Sequence, residues 1–145
     1  MNGLKLNSGL VRLEVDRDGE KGEISFNPSD VRFVDSFYKA RQTFLEKEAA
    51  CKKEIATLEA DKRTDAYGMP INAGKQIEVI KEFAESINAI IDDVFGAGTS
   101  EVLFGESLVL DMYPQFFEGI TPYIQGVRAD KMEKYRDSGR KNVMH

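Results

Sequence analysis

The residues with the best claim to chemistry are Asp92 and Asp93, the most closely spaced acidic pair in a strongly helical stretch. Paired carboxylates can hold a metal or share acid–base work. Neighbours on a helix, however, point about 100° apart, so these two need partners from elsewhere to converge. Without them the pair is a solvated helix end, slightly unfavourable at a C-terminus. Cys51 is the single cysteine, so it has no internal disulfide partner. As a nucleophile it needs a base, and the one histidine is the last residue, His145. It therefore reads as a reduced thiol, buried or half-buried in a helix. Gly96-Ala97-Gly98 imitates part of a dinucleotide fingerprint, but it follows a helix and lacks the third spaced glycine. The acidic turn Asp16-Arg17-Asp18-Gly19-Glu20 lacks the twelve-residue spacing of a calcium loop. Lys131, Lys134, Arg136, Arg140 and Lys141 form a weak basic tail, offset by Asp130, Glu133 and Asp137. No catalytic, cofactor-binding or metal-ligating residue is assigned, and the chain reads as a non-enzyme.

The composition agrees with a folded domain that works by contact. The 145 residues suffice for one domain with a real core. A hydrophobic share of 41% with 31% charged residues argues against disorder. No apolar run approaches the roughly 18 residues of a membrane span. The start Met1-Asn2-Gly3-Leu4-Lys5 has neither the apolar core of a signal peptide nor a myristoylation signal. A net charge of −5 disfavours nucleic acid as the main partner.

The elements that position these residues are mostly helical. From Val11 to Asp16 apolar and charged residues alternate, and Glu23–Phe26 alternates again after a turn-rich stretch. Together they predict a hairpin, with Leu4 and Leu6 as a further edge strand. Pro28, Ser29 and Asp30 open a helix expected to run to about Arg63. Its stripe includes Val34, Phe37, Phe44, Cys51, Ile55 and Leu58, interrupted by Arg41 and Glu48. The sparser far end is expected to overhang the core, where it can meet another subunit. Residues 64–74 read as a loop, and a central apolar helix starts at Asn72 or Ala73. Ser107 is expected to cap a last apolar segment, Leu108–Val127, which Pro114 and Pro122 kink or divide. Beyond Arg128 the chain is expected to begin helical and fray.

Between the last two helices lies a joint, Val94–Gly105. Gly96 and Gly98 end one helix, Thr99 or Ser100 caps a short turn, and Gly105 ends it. Phe95 and Phe104 plug the corner. The fold class is therefore mainly α with a small N-terminal β-hairpin, an antiparallel helical bundle with one long helix. Its divisions are a hairpin element (1–27), a helical core (28–129) and a polar extension (130–145). The aromatic residues Phe33, Phe37, Tyr38, Tyr113, Phe117 and Tyr123 are core candidates, and a subset of them is a candidate surface for an amphipathic helix of another protein.

The joint also carries a resemblance. Val94-Phe95-Gly96, Gly98-Thr99 and Phe104-Gly105, after the aspartate-rich helix end, resemble small tail assembly chaperones of long-tailed phages and prophages of Gram-positive bacteria. The chain departs from that pattern at Pro114 and Pro122 and in its polar extension after Val127. The resemblance implies a non-catalytic protein of the bacterial host cytoplasm, acting during virion morphogenesis. It implies binding to the helical tape measure protein, help in gathering tail tube subunits, no cofactor and a homo-oligomeric state. A structural or adaptor protein retained in the tail is the alternative, and a metal-dependent hydrolase a remote one.

Overall fold

The computed structural model describes the backbone of residues 2–143 and the side chains of 2–127 and 132–135. In chain order the elements are β1 (Val11–Arg17), β2 (Glu20–Phe26), α1 (Val31–Glu59), α2 (Ala73–Phe95), α3 (Thr99–Phe104) and α4 (Met112–Val143). The mainly helical fold with a small antiparallel hairpin is as the sequence predicts. Val11 pairs with Phe26 and Arg17 with Glu20, so β2 starts three residues earlier than its alternation suggests. Asp18 (φ 52°) and Gly19 (φ 91°) make the two-residue turn. Two positive φ values in succession match the twist of the flanking strands. The Gly19 N–H donates to Asp16 Oδ1 at 2.8 Å.

The expected edge strand at Leu4 and Leu6 does not form. Residues 2–10 have no strand pairing, and the two leucines are almost fully exposed. Gly9, at φ 97°, turns the chain out of line with β1, and a Cβ there would meet Ser29 Oγ at 2.6 Å. Asn27 Nδ2 donates to Ser8 Oγ and fixes that departure.

Asp30 caps α1, accepting the Arg32 N–H at 2.9 Å. The helix stops at Glu59, four residues short of expectation. Asp61 takes the Arg63 N–H with its own carboxylate, and Thr64 then bridges to Pro70. Asn72 Nδ2 reaches back to the Leu58 carbonyl, so the start of α2 is tied to the end of α1. In the paired stretches 45–59 of α1 and 73–83 of α2 no side chain is fully buried. This half of the helical pair is the overhang the sparse far end predicts.

Helix α4 starts at Met112, not at Leu108. A helix from Leu108 would place Pro114 in its interior, with its ring against the Leu110 carbonyl. Starting at Met112 puts Pro114 in the first turn, where the missing N–H has no partner to lose. Pro122 stays inside the helix without dividing it. Residues 130–143, read as a separate extension, continue α4 to Val143; Met144 and His145 lie outside the described residues.

All nine phenylalanines join one connected network of ring contacts. It runs from Phe26 of β2 through Phe33, Phe37 and Phe44 of α1 to Phe83 and Phe95 of α2, Phe104 of α3, and Phe116 and Phe117 of α4. Ile87, Ile91 and Ile124 are fully buried beside it. Phe37, at 0% exposure, touches Phe33, Phe95 and Phe117 at once. Phe37→Ala is expected to cost about 3–5 kcal/mol, read as a lower urea midpoint with an unchanged slope.

Candidate functional site

The aspartates have separate roles. Asp93 is exposed, whereas Asp92 is half-buried and turned into the joint. Asp92 Oδ1 accepts the Ser100 N–H at 2.8 Å, and Oδ2 accepts the Ser100 hydroxyl at 3.0 Å. The expected solvated pair is thus corrected for Asp92: its carboxylate satisfies a free amide at the start of α3. Neither Thr99 nor Ser100 is the cap residue. Gly98, left-handed at φ 89°, occupies that position and has no side chain to offer, so the anion comes from α2. At the other end, Arg17 Nη1 donates to the Val102 carbonyl at 2.9 Å, and its guanidinium lies over Gly105. A six-residue helix is too short to persist alone. Here an anion sits at its positive end and a cation at its negative end.

Gly96 carries φ 112° and Gly105 φ 69°, so both glycines end helices in conformations other residues resist. Phe95 and Phe104 close the corner on different sides. Phe95 packs on Phe33 (5.2 Å between centroids) and Phe116 (5.4 Å). Phe104 packs on Tyr113 (4.7 Å). Asp92→Ala is expected to cost about 1–2 kcal/mol and Asp93→Ala less than about 0.5, in parallel chemical unfolding.

The six candidate contact aromatics divide. Phe37 (0% exposed), Tyr113 (1%) and Phe117 (6%) are core residues. Phe37 and Tyr113 sit where several helices meet and offer no free face to a partner, whereas Phe117 lies against Phe37 and Phe44 of α1 and keeps an edge on an open groove. Phe33 and Tyr38 are half-buried, with Phe33 stacked on Phe26 and Tyr38 edge-on to Phe37. Tyr123 is exposed and touches Phe26 with its ring.

Tyr113 also accounts for the buried polar centre. Its hydroxyl donates to Asn88 Oδ1 at 2.8 Å and lies 3.1 Å from the Ala84 carbonyl oxygen. Burial pushes its pKa up to about 12, with the Asn88 hydrogen bond opposing. The unfolded chain ionises this phenol near pH 10, before the native state does. Tyr113 therefore contributes stability that is full below pH 10 and is lost as the pH rises to 12. Urea unfolding across that window is expected to show an alkaline loss on the order of 2 kcal/mol in the parent, absent in Tyr113→Phe.

Cys51, the single cysteine, lies in α1. Burial pushes the half-buried Cys51 thiol up, and Glu54 and Glu48 push it further, which keeps it protonated. Among the described residues, no three His, Cys, Asp or Glu side chains are grouped to hold a metal ion. No described helix is long and apolar enough to cross a membrane.

What the helices do leave open is a groove of about 570 Å³ between α1 and α4. Phe44 and Phe117 form its floor, stacked at 4.7 Å. Leu45, Pro114 and Pro122 form its walls, and Arg41, Glu48, Lys52 and Glu118 its rim. Lys52 pairs with Glu48 at 3.7 Å along that rim. An apolar channel with charges of both signs at its edges suits the apolar face of an amphipathic helix. Four of the lining residues are ones the sequence marks as defects. Arg41 and Glu48 interrupt the apolar stripe of α1, and the prolines interrupt α4. Those interruptions were the available signal, because a charge on a core-facing stripe marks where the neighbouring helix does not cover it.

A family model matches residues 20–143, from the start of β2 to the end of α4. No curated protein and no solved structure matches the chain. The chain belongs to a family of unknown function, DUF6673.

Proposed function

We propose that this member of the DUF6673 family is a non-catalytic binding protein of the tail assembly chaperone kind. Its client is the helical tape measure protein of a long-tailed phage or prophage, and it helps tail tube subunits gather on that client in the host cytoplasm. The observation that supports this reading is the groove between α1 and α4, with an apolar floor of Phe44 and Phe117 and charges of both signs on its rim. The aspartate-ended helix and the Phe-Gly joint, which resemble those chaperones, support it as well. A tape measure protein is long, helical and prone to aggregate, so a chaperone for it needs a shallow apolar channel more than a deep pocket. The mixed charges on the rim keep the channel soluble while empty.

Co-expression with the tape measure protein of the same tail gene cluster tests this. The parent chain is expected to keep the client soluble and to be recovered with it. Leu45 is 40% exposed and forms a groove wall, so Leu45→Asp is expected to fold normally. Placing a charge there is expected to lower client capture by about tenfold or more. No complex with the parent chain, or full capture by the variant, would sink the proposal.

A further inference from the structure

Among the described residues, two surfaces that expose apolar side chains between charged ones lie apart from the α1–α4 groove, and their charges are opposite. The first is a groove of about 620 Å³ beside the hairpin turn, floored by Leu103, Phe104, Met112 and Phe116. Val15 and the 45%-exposed Val109 extend that floor to its mouth. Its rim, continuing into an adjoining cleft, carries Asp16, Asp18, Glu20, Glu101, Glu106 and Asp111. The basic side chain in this wall, Arg17, is occupied by the Val102 carbonyl and by Glu20 at 2.7 Å. The second face is the C-terminal half of α4, where Met132 and Tyr135, one turn apart, are 59% and 73% exposed.

The charge of the chain is divided along the same line. Residues 128–145 hold six lysines and arginines against three acids. Residues 1–127 hold fourteen against twenty-two. The two faces cannot meet within one molecule. Met112 and Phe116, in the floor of the groove, belong to the first turns of the same helix that carries Tyr135. At about 1.5 Å per residue, Tyr135 stands on the order of 35 Å further along that helix.

We infer that the C-terminal half of α4 of one copy docks in the acidic-rimmed groove of a second copy, head to tail. Met132 and Tyr135 meet the apolar floor, and the net-basic segment that carries them is drawn to the acidic rim. Such a contact is heterologous: each added copy presents a fresh groove and a fresh tail, so the product is a ring or an open array and not a closed dimer. The contact uses neither the α1–α4 groove nor any client, and it stands or falls separately from the chaperone reading.

Sedimentation velocity on the full chain tests it. At micromolar concentration and low salt, species larger than a dimer are expected, growing with concentration. They are expected to fall back to monomer at high salt, because exposed ion pairs are screened. Glu101→Lys, Glu106→Lys, Ser107→Lys and Asp111→Lys together turn the rim net positive, and Lys131→Glu with Lys134→Glu turns the tail net negative. Each variant alone is expected to run as a folded monomer by circular dichroism and sedimentation. An equimolar mixture of the two is expected to assemble again, since each tail then finds a groove of opposite sign. Met132→Ser with Tyr135→Ser, which keeps every charge, is expected to weaken assembly at least tenfold. A parent chain that stays monomeric overturns the inference. So does a closed dimer indifferent to these variants, or a mixture that fails to assemble.

Discussion

The geometry of the molecule depends on a six-residue helix held at both ends by charges from other elements. Asp92 reaches from the last turn of α2 to the first amides of α3, and Arg17 reaches from the hairpin to its last carbonyls. Hydrogen bonds to ionised groups are among the stronger ones available to a protein, and here they complement the helix dipole. They fix α3, and α3 in turn fixes the rest. Val102 lies against Gly22 of β2, where any added side-chain carbon would meet it at 2.8 Å. Leu103 and Phe104 are buried in the core, and Gly105 releases the chain toward α4. The hairpin, marginal by itself, is thereby docked to the helices.

Around that clasp the phenylalanines work as a set. Their rings link β2 and all four helices, with edge-to-face and stacked contacts between 4.7 and 6.4 Å. Concentrating aromatic bulk in the core leaves the α1–α2 overhang and the outer half of α4 with little to cover them. The division is physical: the aromatic centre is tightly packed, and residues 45–59 of α1, 73–82 of α2 and Met132 and Tyr135 of α4 lie outside it. Surfaces for partners follow from where that packing ends.

Much of the fold is legible in the sequence because its signals are local. The alternation from Val11, the stripe from Val34 to Leu58 and the breaks at Gly96 and Gly105 each state an element directly. The missing edge strand at Leu4 and Leu6 shows the limit: alternation gives the face of a strand but no partner to pair with. The start of α4 was readable from Pro114, whose ring disfavours a helix beginning at Leu108, though apolar spacing alone overrides that cue. The role of Asp92 was not readable. Its partner, Ser100, lies across two glycines whose left-handed turn brings it back, and no periodicity records that. Burial of Phe37, Tyr113 and Phe117 was likewise undecided, since an aromatic stripe looks the same whether it faces a core or a client.

We propose a rigid aromatic scaffold that works through the channel between α1 and α4. Hydrogen–deuterium exchange on the chain, alone and bound to the tape measure protein, tests that claim most directly. Protection gained over residues 41–52 and 114–122, with the Val94–Gly105 joint unchanged, is the result the account predicts. Protection confined to the joint or to the hairpin, with those two stretches unaffected by the client, would contradict it.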